Sequence, residues 1–203
     1  MNLYLDTVPS NLLELIQELM EAPDLSNFFL VGGTALALQI GHRQSVDCDL
    51  FTTGSFDAEA LAQSLSRDYS LSEAIVSKNS VTGRIADIKT DIIAHRYPMI
   101  EAIITAENIR MASLADIAAM KLNAIANRGS KKDFWDIHAL LNHLSFDAML
   151  RAFRMKYRHA SCWGLEKSLA YFEDAENEPD PVSLTSIQWR QVKADILEQI
   201  RLR

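Results

Sequence analysis

Between Phe28 and Phe51 the chain reads FFLVGGTALALQIGHRQSVDCDLF, and no other stretch sets glycines, a hydroxyl and paired carboxylates between apolar runs. Phe28–Val31 is expected to be a short buried strand, Gly32-Gly33-Thr34 a turn, Thr34–Ile40 a helix stopped at Gly41, and Val46–Thr52 a second strand. Side chains alternate along a strand, so Asp47 and Asp49 are expected on one face, with Val46, Cys48 and Leu50 on the other. Carboxylates about 7 Å apart on one face repel each other and resist desolvation, so a fold rarely keeps them without a partner. The partner that suits them best is a hard divalent cation carrying a polyphosphate. The glycine turn fits the same ligand, because it allows close approach and is followed by a helix N-terminus with unpaired amides.

The chain has 203 residues and is 48% apolar, enough to bury a core as one domain or as two small ones. Its formal net charge is -7, so no global field draws in nucleic acid and any such contact needs a local basic patch. Arg151, Arg154, Lys156, Arg158 and His159 form the one dense basic run, readable either as an RNA contact or as a solvated helix face. Of the two cysteines, Cys48 is expected to act as a small buried hydrophobe, and the pair is too sparse for a disulfide framework or a zinc site. No signal-peptide pattern opens the chain, and no apolar run reaches the roughly 18 residues needed to span a bilayer. The expectation is a cytoplasmic protein without membrane association.

Hydrophobic periodicity divides the chain near residue 110. Up to there the order is helix, strand, helix, strand, helix and then several strands, among them Leu71–Ser77, Ser80–Ile85 and Asp87–His95. Beyond Ser113 the pattern is helical, with an acidic, proline-bearing stretch at Glu173–Pro181 as the best linker candidate. The fold class expected is α+β: a mixed β-sheet core with helices on one face, followed by a C-terminal helical bundle. Residues 1–110 would form the catalytic core, and residues 111–203 a helical domain completing the nucleotide and acceptor cleft.

Nucleotidyl transfer by two metals needs oxygen ligands that hold ions roughly 3.5–4 Å apart, and a third carboxylate on a neighbouring strand usually completes the set. Asp91, within IKTDIIA, is the candidate. Asp87 shares its face and competes for the role, while Lys89 either offsets the carboxylates or touches phosphate. Farther on, Lys121 and Arg128 fall on one helix face, and Asp133 and Asp136 on the next. That pattern suits interhelix salt bridges as well as a nucleotide contact. His42-Arg43 reads either as a phosphate or acceptor contact or as a solvated loop. His95, His138, His143 and His159 show no metal-ligand spacing, which weakens a phosphodiesterase reading.

The stretch Phe29–Phe51 resembles the first motif of the AbiEii/AbiGii-type nucleotidyltransferases, toxin-like members of the DNA polymerase β-like superfamily. Met120–Leu141, with Lys121, Arg128, Lys132-Asp133 and Asp136, resembles that family's helical motif. Threonine at position 34 stands where the wider superfamily usually has serine, which keeps the hydroxyl. The resemblance implies an enzyme that uses Mg2+ or Mn2+ to move a nucleoside monophosphate from an NTP onto a tRNA or other RNA 3′ end, or onto a protein hydroxyl. It also implies the toxin role in a toxin–antitoxin pair, with a cognate antitoxin as partner. By position, Gly32, Gly33 and Thr34 would hold triphosphate, Asp47, Asp49 and Asp91 would be catalytic metal ligands, and Lys121 would contact the nucleotide. The alternative is a degenerate transferase fold kept as a nucleotide- or protein-binding module.

Overall fold

The computed structural model describes residues 2–160 and 162–203. The first helix, α1 (Ser10–Glu21), buries Leu12, Ile16 and Leu19, spaced to share one stripe. Strand β1 is only Phe29–Leu30, and α2 (Gly32–Ile40) follows at once, closed by left-handed Gly41. Strand β2 is Cys48–Thr52, shorter than expected, so Asp47 lies just before the strand. Helix α3 (Ala58–Tyr69) starts where the Asp57 carboxylate accepts the Ala60 amide at 3.1 Å.

Three strands then run back and forth as β3 (Ser72–Ser77), β4 (Ser80–Ile85) and β5 (Ile88–Ala94). Asp87, the expected competitor of Asp91, sits with Ala86 in the two-residue turn between β4 and β5, both with positive φ. It therefore lies outside the strand. A hairpin that the sequence reading missed follows, β6 (Ile104–Ala106) and β7 (Ile109–Met111), joined by Glu107-Asn108, again both at positive φ. Three-residue strands give almost no periodicity, and Asn108 was the one turn signal available.

Among the described residues the strands make one seven-stranded mixed sheet in the order β3-β4-β5-β2-β1-β7-β6. Strands β2 and β5 run parallel, as do β1 and β7, and the other pairs are antiparallel. Cys48, Leu50, Ile92 and Thr90 point into the core face and are at most 1% exposed, while Asp49, Phe51, Asp91 and Ile93 face the other way and are half-buried.

Helices α4 (Leu114–Asn127), α5 (Lys131–Leu140), α6 (Phe146–Lys156), α7 (Cys162–Leu169), α8 (Glu173–Glu176) and α9 (Trp189–Arg201) complete the chain. By compactness the chain divides in two. The sheet unit runs to Gly41 and includes Ser45–Pro98 and Ile103–Ala112; the helical unit takes His42–Gln44, Met99–Ala102 and Ser113–Arg203. Phe134, Trp135, Phe172 and Trp189 cluster in the helical unit, Trp135 stacked on Trp189 and the other pairs tilted or edge-on.

Two expectations change in this unit. The acidic stretch after Phe172 is no linker, because Ala175 is buried, Glu176 accepts from Trp189 Nε1 and Lys193, and the Lys131 ammonium reaches Asp180. The basic run is also broken. Lys156 is buried against the Asp116 carboxylate at 2.8 Å, both side chains 0% exposed, and Asp116 also accepts the Ile100 and Glu101 amides. Arg151, Arg154, Arg158 and His159 remain on the surface.

Candidate active site

Register does the first work. Asp49 on β2 is paired directly with Asp91 on the parallel strand β5, so the two carboxylates stand side by side on the half-exposed face. Neighbouring strands lie about 4.8 Å apart, which makes this a closer like-charge pair than Asp47 and Asp49 along the chain. Lys89, two residues before Asp91 on the same face, places its ammonium 2.8 Å from Asp91 Oδ2. Its pKa is raised, first by that hydrogen bond and then, against some burial, by the charges of Asp91, Asp49 and Asp47. Cys48, on the opposite face, responds to the same field. Burial pushes its thiol far up, and Asp49, Asp91 and Asp47 push it further. Cys48 is thus the inert buried hydrophobe expected of it.

The glycine turn meets this face directly. Gly32 has φ +70, and a Cβ built there would lie 2.5 Å from Asp49 Oδ2, so the backbone at the start of α2 abuts the carboxylate. The Val31 amide donates to the Asp49 carbonyl at 2.9 Å and fixes the approach. Glycine at position 32 is needed twice, for the left-handed backbone and for the space.

Thr34 is placed differently from the expectation of a phosphate-binding hydroxyl. Its side chain is fully buried, and Oγ1 donates to the Asp47 carbonyl at 2.5 Å and is hydrogen-bonded with Ser45 Oγ at 2.9 Å. The hydroxyl ties the first turn of α2 to the backbone leading into β2, and so sets where Asp47 begins. Ser45 was missed by the sequence reading, since a lone serine in a loop gives no signal.

The residues of the helical motif assemble in the helical unit. Asp136 is fully buried, and its carboxylate accepts from Arg43 Nε at 2.6 Å, Arg43 Nη2 at 2.9 Å and His42 Nε2 at 2.7 Å, with Lys121 Nζ at 2.5 Å. Asp133 takes Lys121 at 2.9 Å, Arg128 Nε at 3.1 Å and the Ser130 hydroxyl at 2.7 Å. His42 and Arg43 are therefore neither a solvated loop nor aimed at a ligand. The Lys121 ammonium, expected on the nucleotide, is held between two buried carboxylates. The physical reason is desolvation: a buried ammonium or guanidinium needs a carboxylate at hand, and Asp133 and Asp136 supply it.

Burial alone would raise the Asp136 pKa, yet Lys121, Arg43 and the His42 hydrogen bond hold it well below the usual carboxylate range; Asp133 is likewise raised by burial but lowered overall by Lys121, Arg128 and the Ser130 hydroxyl. Carboxyl groups with depressed native pKa values stabilise the fold fully above their unfolded value near 4, and lose that contribution as pH falls through the native values. All three tryptophans, Trp135, Trp163 and Trp189, lie in the helical unit, so indole emission reports on that unit. Thermal midpoints read by this emission should be flat from about pH 6 to pH 5 and fall steeply below about pH 4. A midpoint that stays level to pH 2.5 would refute the assignment of Asp133 and Asp136 as the ion-paired pair of the unit.

Asp49 and Asp91 share one face and Asp47 lies just before β2, and carboxylates of this kind are hard-oxygen donors of the type that suits Mg2+ or Mn2+. Among the described residues no three His, Cys, Asp or Glu side chains converge tightly enough to hold a metal ion, and the cation found against Asp91 is Lys89. The donor chemistry fits the metal, with Lys89 standing as local counter-charge. No helix among the described residues is long and apolar enough to cross a membrane.

Comparison with known proteins identifies the family. The family model for the nucleotidyl transferase AbiEii toxin of type IV toxin–antitoxin systems matches residues 14–101 and 79–202. An uncharacterized protein of Aquifex aeolicus (strain VF5) is 34% identical over 171 residues, covering 81% of this chain and 83% of its own length. Among solved structures, MenT4, a nucleotidyltransferase toxin of Mycobacterium tuberculosis H37Rv, matches with a TM-score of 0.57 at 14% identity, covering 93% of this chain and 82% of its own. JHP933 from Helicobacter pylori matches with a TM-score of 0.53 at 17% identity, covering 96% and 92%. At such identities the two structures establish a shared fold, and the family match establishes kinship. The chain belongs to the AbiEii nucleotidyl transferase toxin family.

Proposed function

We propose that the protein transfers a nucleoside monophosphate from an NTP to an RNA 3′ end or a protein hydroxyl, with Asp47, Asp49 and Asp91 as the catalytic carboxylates. The observation that carries the reading is the side-by-side placement of Asp49 and Asp91 against the left-handed Gly32 turn. A fold gains nothing in stability from abutting carboxylates, so their retention points to chemistry.

Mg2+ or Mn2+ held by Asp47, Asp49 and Asp91 would neutralise phosphate charge and lower the pKa of the acceptor hydroxyl. Amides of the first turn of α2, beginning at Gly32 and Gly33, would take phosphate oxygens at the positive end of the helix. The acceptor oxygen attacks the α-phosphorus, the bond from that phosphorus to the α,β-bridging oxygen breaks, and pyrophosphate leaves with the electron pair. The hydroxyl proton passes to the Asp91 carboxylate and then to solvent. Thr34 serves by holding the Asp47 backbone, and Lys121 by neutralising Asp133 and Asp136. Kinship with a toxin family favours a cognate antitoxin as partner.

The test incubates purified protein with each α-labelled NTP, Mg2+ and total RNA. Label is expected on RNA or on protein, from one NTP above the others. NTP binding without transfer to any acceptor would favour a degenerate binding module instead, and absence of both would end the catalytic reading.

A further inference from the structure

The carboxylate face continues into a stack of rings that the reaction described above does not use. Phe51 is two residues beyond Asp49, and His95 is four residues beyond Asp91. Their rings lie parallel, with centroids 4.9 Å apart and 18° between planes, so both stand on the carboxylate side of the sheet. Tyr97 lies against the His95 ring, its centroid 4.8 Å away and its plane tilted by 47°. The His95 amide donates to the Thr52 carbonyl at 2.8 Å, which extends the pairing of β5 with β2 one residue past the strand and holds the rings together.

These rings do not fill the core. The core lies on the opposite face, where Cys48, Leu50 and Ile92 are 0% exposed, whereas Phe51 and His95 are half-buried and Tyr97 is 48% exposed. A two-residue step along a strand is about 6.6 Å, comparable to the distance between the 5′ phosphorus of a nucleotide and its base. A phosphate at Asp49 thus brings a base to the stack. Rings with accessible area beside a phosphate site are what a nucleobase needs, because every base has a π face.

We propose that Phe51, His95 and Tyr97 form a nucleobase-stacking subsite serving the carboxylate centre, filled by the incoming NTP or by the terminal nucleotide of an RNA acceptor. This rests on the transferase reading, and the experiment separates the two. Binding is measured by calorimetry in Mg2+ for each NTP as its α,β-methylene analogue, for inorganic tripolyphosphate, and for single-stranded RNA with an ordinary or an abasic 3′ nucleotide. Tyr97→Ala and His95→Leu should each weaken a base-bearing ligand by about 10-fold or more. Tyr97→Phe, which keeps the ring, should bind as wild type does, and tripolyphosphate should bind all variants alike. A loss confined to the NTPs identifies the incoming nucleotide as the occupant, and one confined to RNA with an intact 3′ base identifies the acceptor. Either outcome supports the subsite. Unchanged affinity for every ligand in both Tyr97→Ala and His95→Leu overturns it, even where wild type transfers label. A wild-type protein that binds neither tripolyphosphate nor NTP overturns it together with the transferase reading.

Discussion

Asp49→Asn will lower nucleotidyl transfer by on the order of 10³-fold or more, equivalent to about 4 kcal/mol of transition-state stabilisation, while the protein remains folded. The carboxylate sits between Asp91 across the sheet and the backbone of Gly32, so the amide keeps its shape and loses its charge. Stability should move the other way. Removing one of two like charges that stand side by side relieves repulsion, so the thermal midpoint should stay level or rise. Gly32→Ala is the companion change. Its methyl would meet Asp49 Oδ2 at 2.5 Å, and its backbone would be forced to φ +70. The displaced carboxylate should cost about 10²-fold in rate, with only about 1–2 kcal/mol of strain in the fold. Full activity in Asp49→Asn would remove Asp49 from the mechanism, and a large drop in midpoint would recast it as structural.

Asp136→Ala is expected to destabilise the helical unit by about 3–5 kcal/mol, because it strands Arg43 and Lys121, 5% and 6% exposed, beside an empty space. With a urea slope of about 1–3 kcal/mol/M, the unfolding midpoint read by tryptophan emission should fall by about 1–5 M. Lys121 shows the same coupling from the other side. Burial lowers its pKa, yet the charges of Asp136 and Asp133 outweigh that and raise it. A double variant, Lys121→Met with Asp136→Leu, should recover part of the loss, since removing both charges leaves fewer buried ions unmatched. If Asp136→Ala shifts the midpoint by less than about 0.3 M, the network is ornamental and Lys121 returns to contention as a nucleotide ligand.

What the sequence disclosed followed from periodicity and from covalent spacing. Asp49 and Asp91 were legible because strand alternation assigns a face residue by residue, and the β2–β5 register then brought them together. The change to a helical pattern beyond Ser113 was legible too, and there the Ser113 hydroxyl caps α4 by accepting the Asp116 amide at 3.1 Å. Where a role depends on which distant side chain arrives, local pattern carried no signal. Thr34 looked like a phosphate ligand, and only the return of Ser45 and Asp47 showed its hydroxyl engaged inward. His42, Arg43 and Lys121 looked available for a ligand until Asp136 was seen to gather all three. Lys156 left the surface basic run for the same cause, a buried carboxylate at Asp116 that its own neighbours do not reveal.

The membership of His42–Gln44 in the helical unit sets an order on the making of the protein. Arg43 emerges from the ribosome 93 residues ahead of Asp136, the carboxylate that takes its charge. At about 5–20 residues per second, that guanidinium waits roughly 5–20 s for its partner, and the Gln44 amide waits longer still for the Val182 carbonyl. The segment that leads into Asp47 is therefore secured late in synthesis. A nascent chain of this toxin family carries all three aspartates well before the loop preceding them has been locked in place.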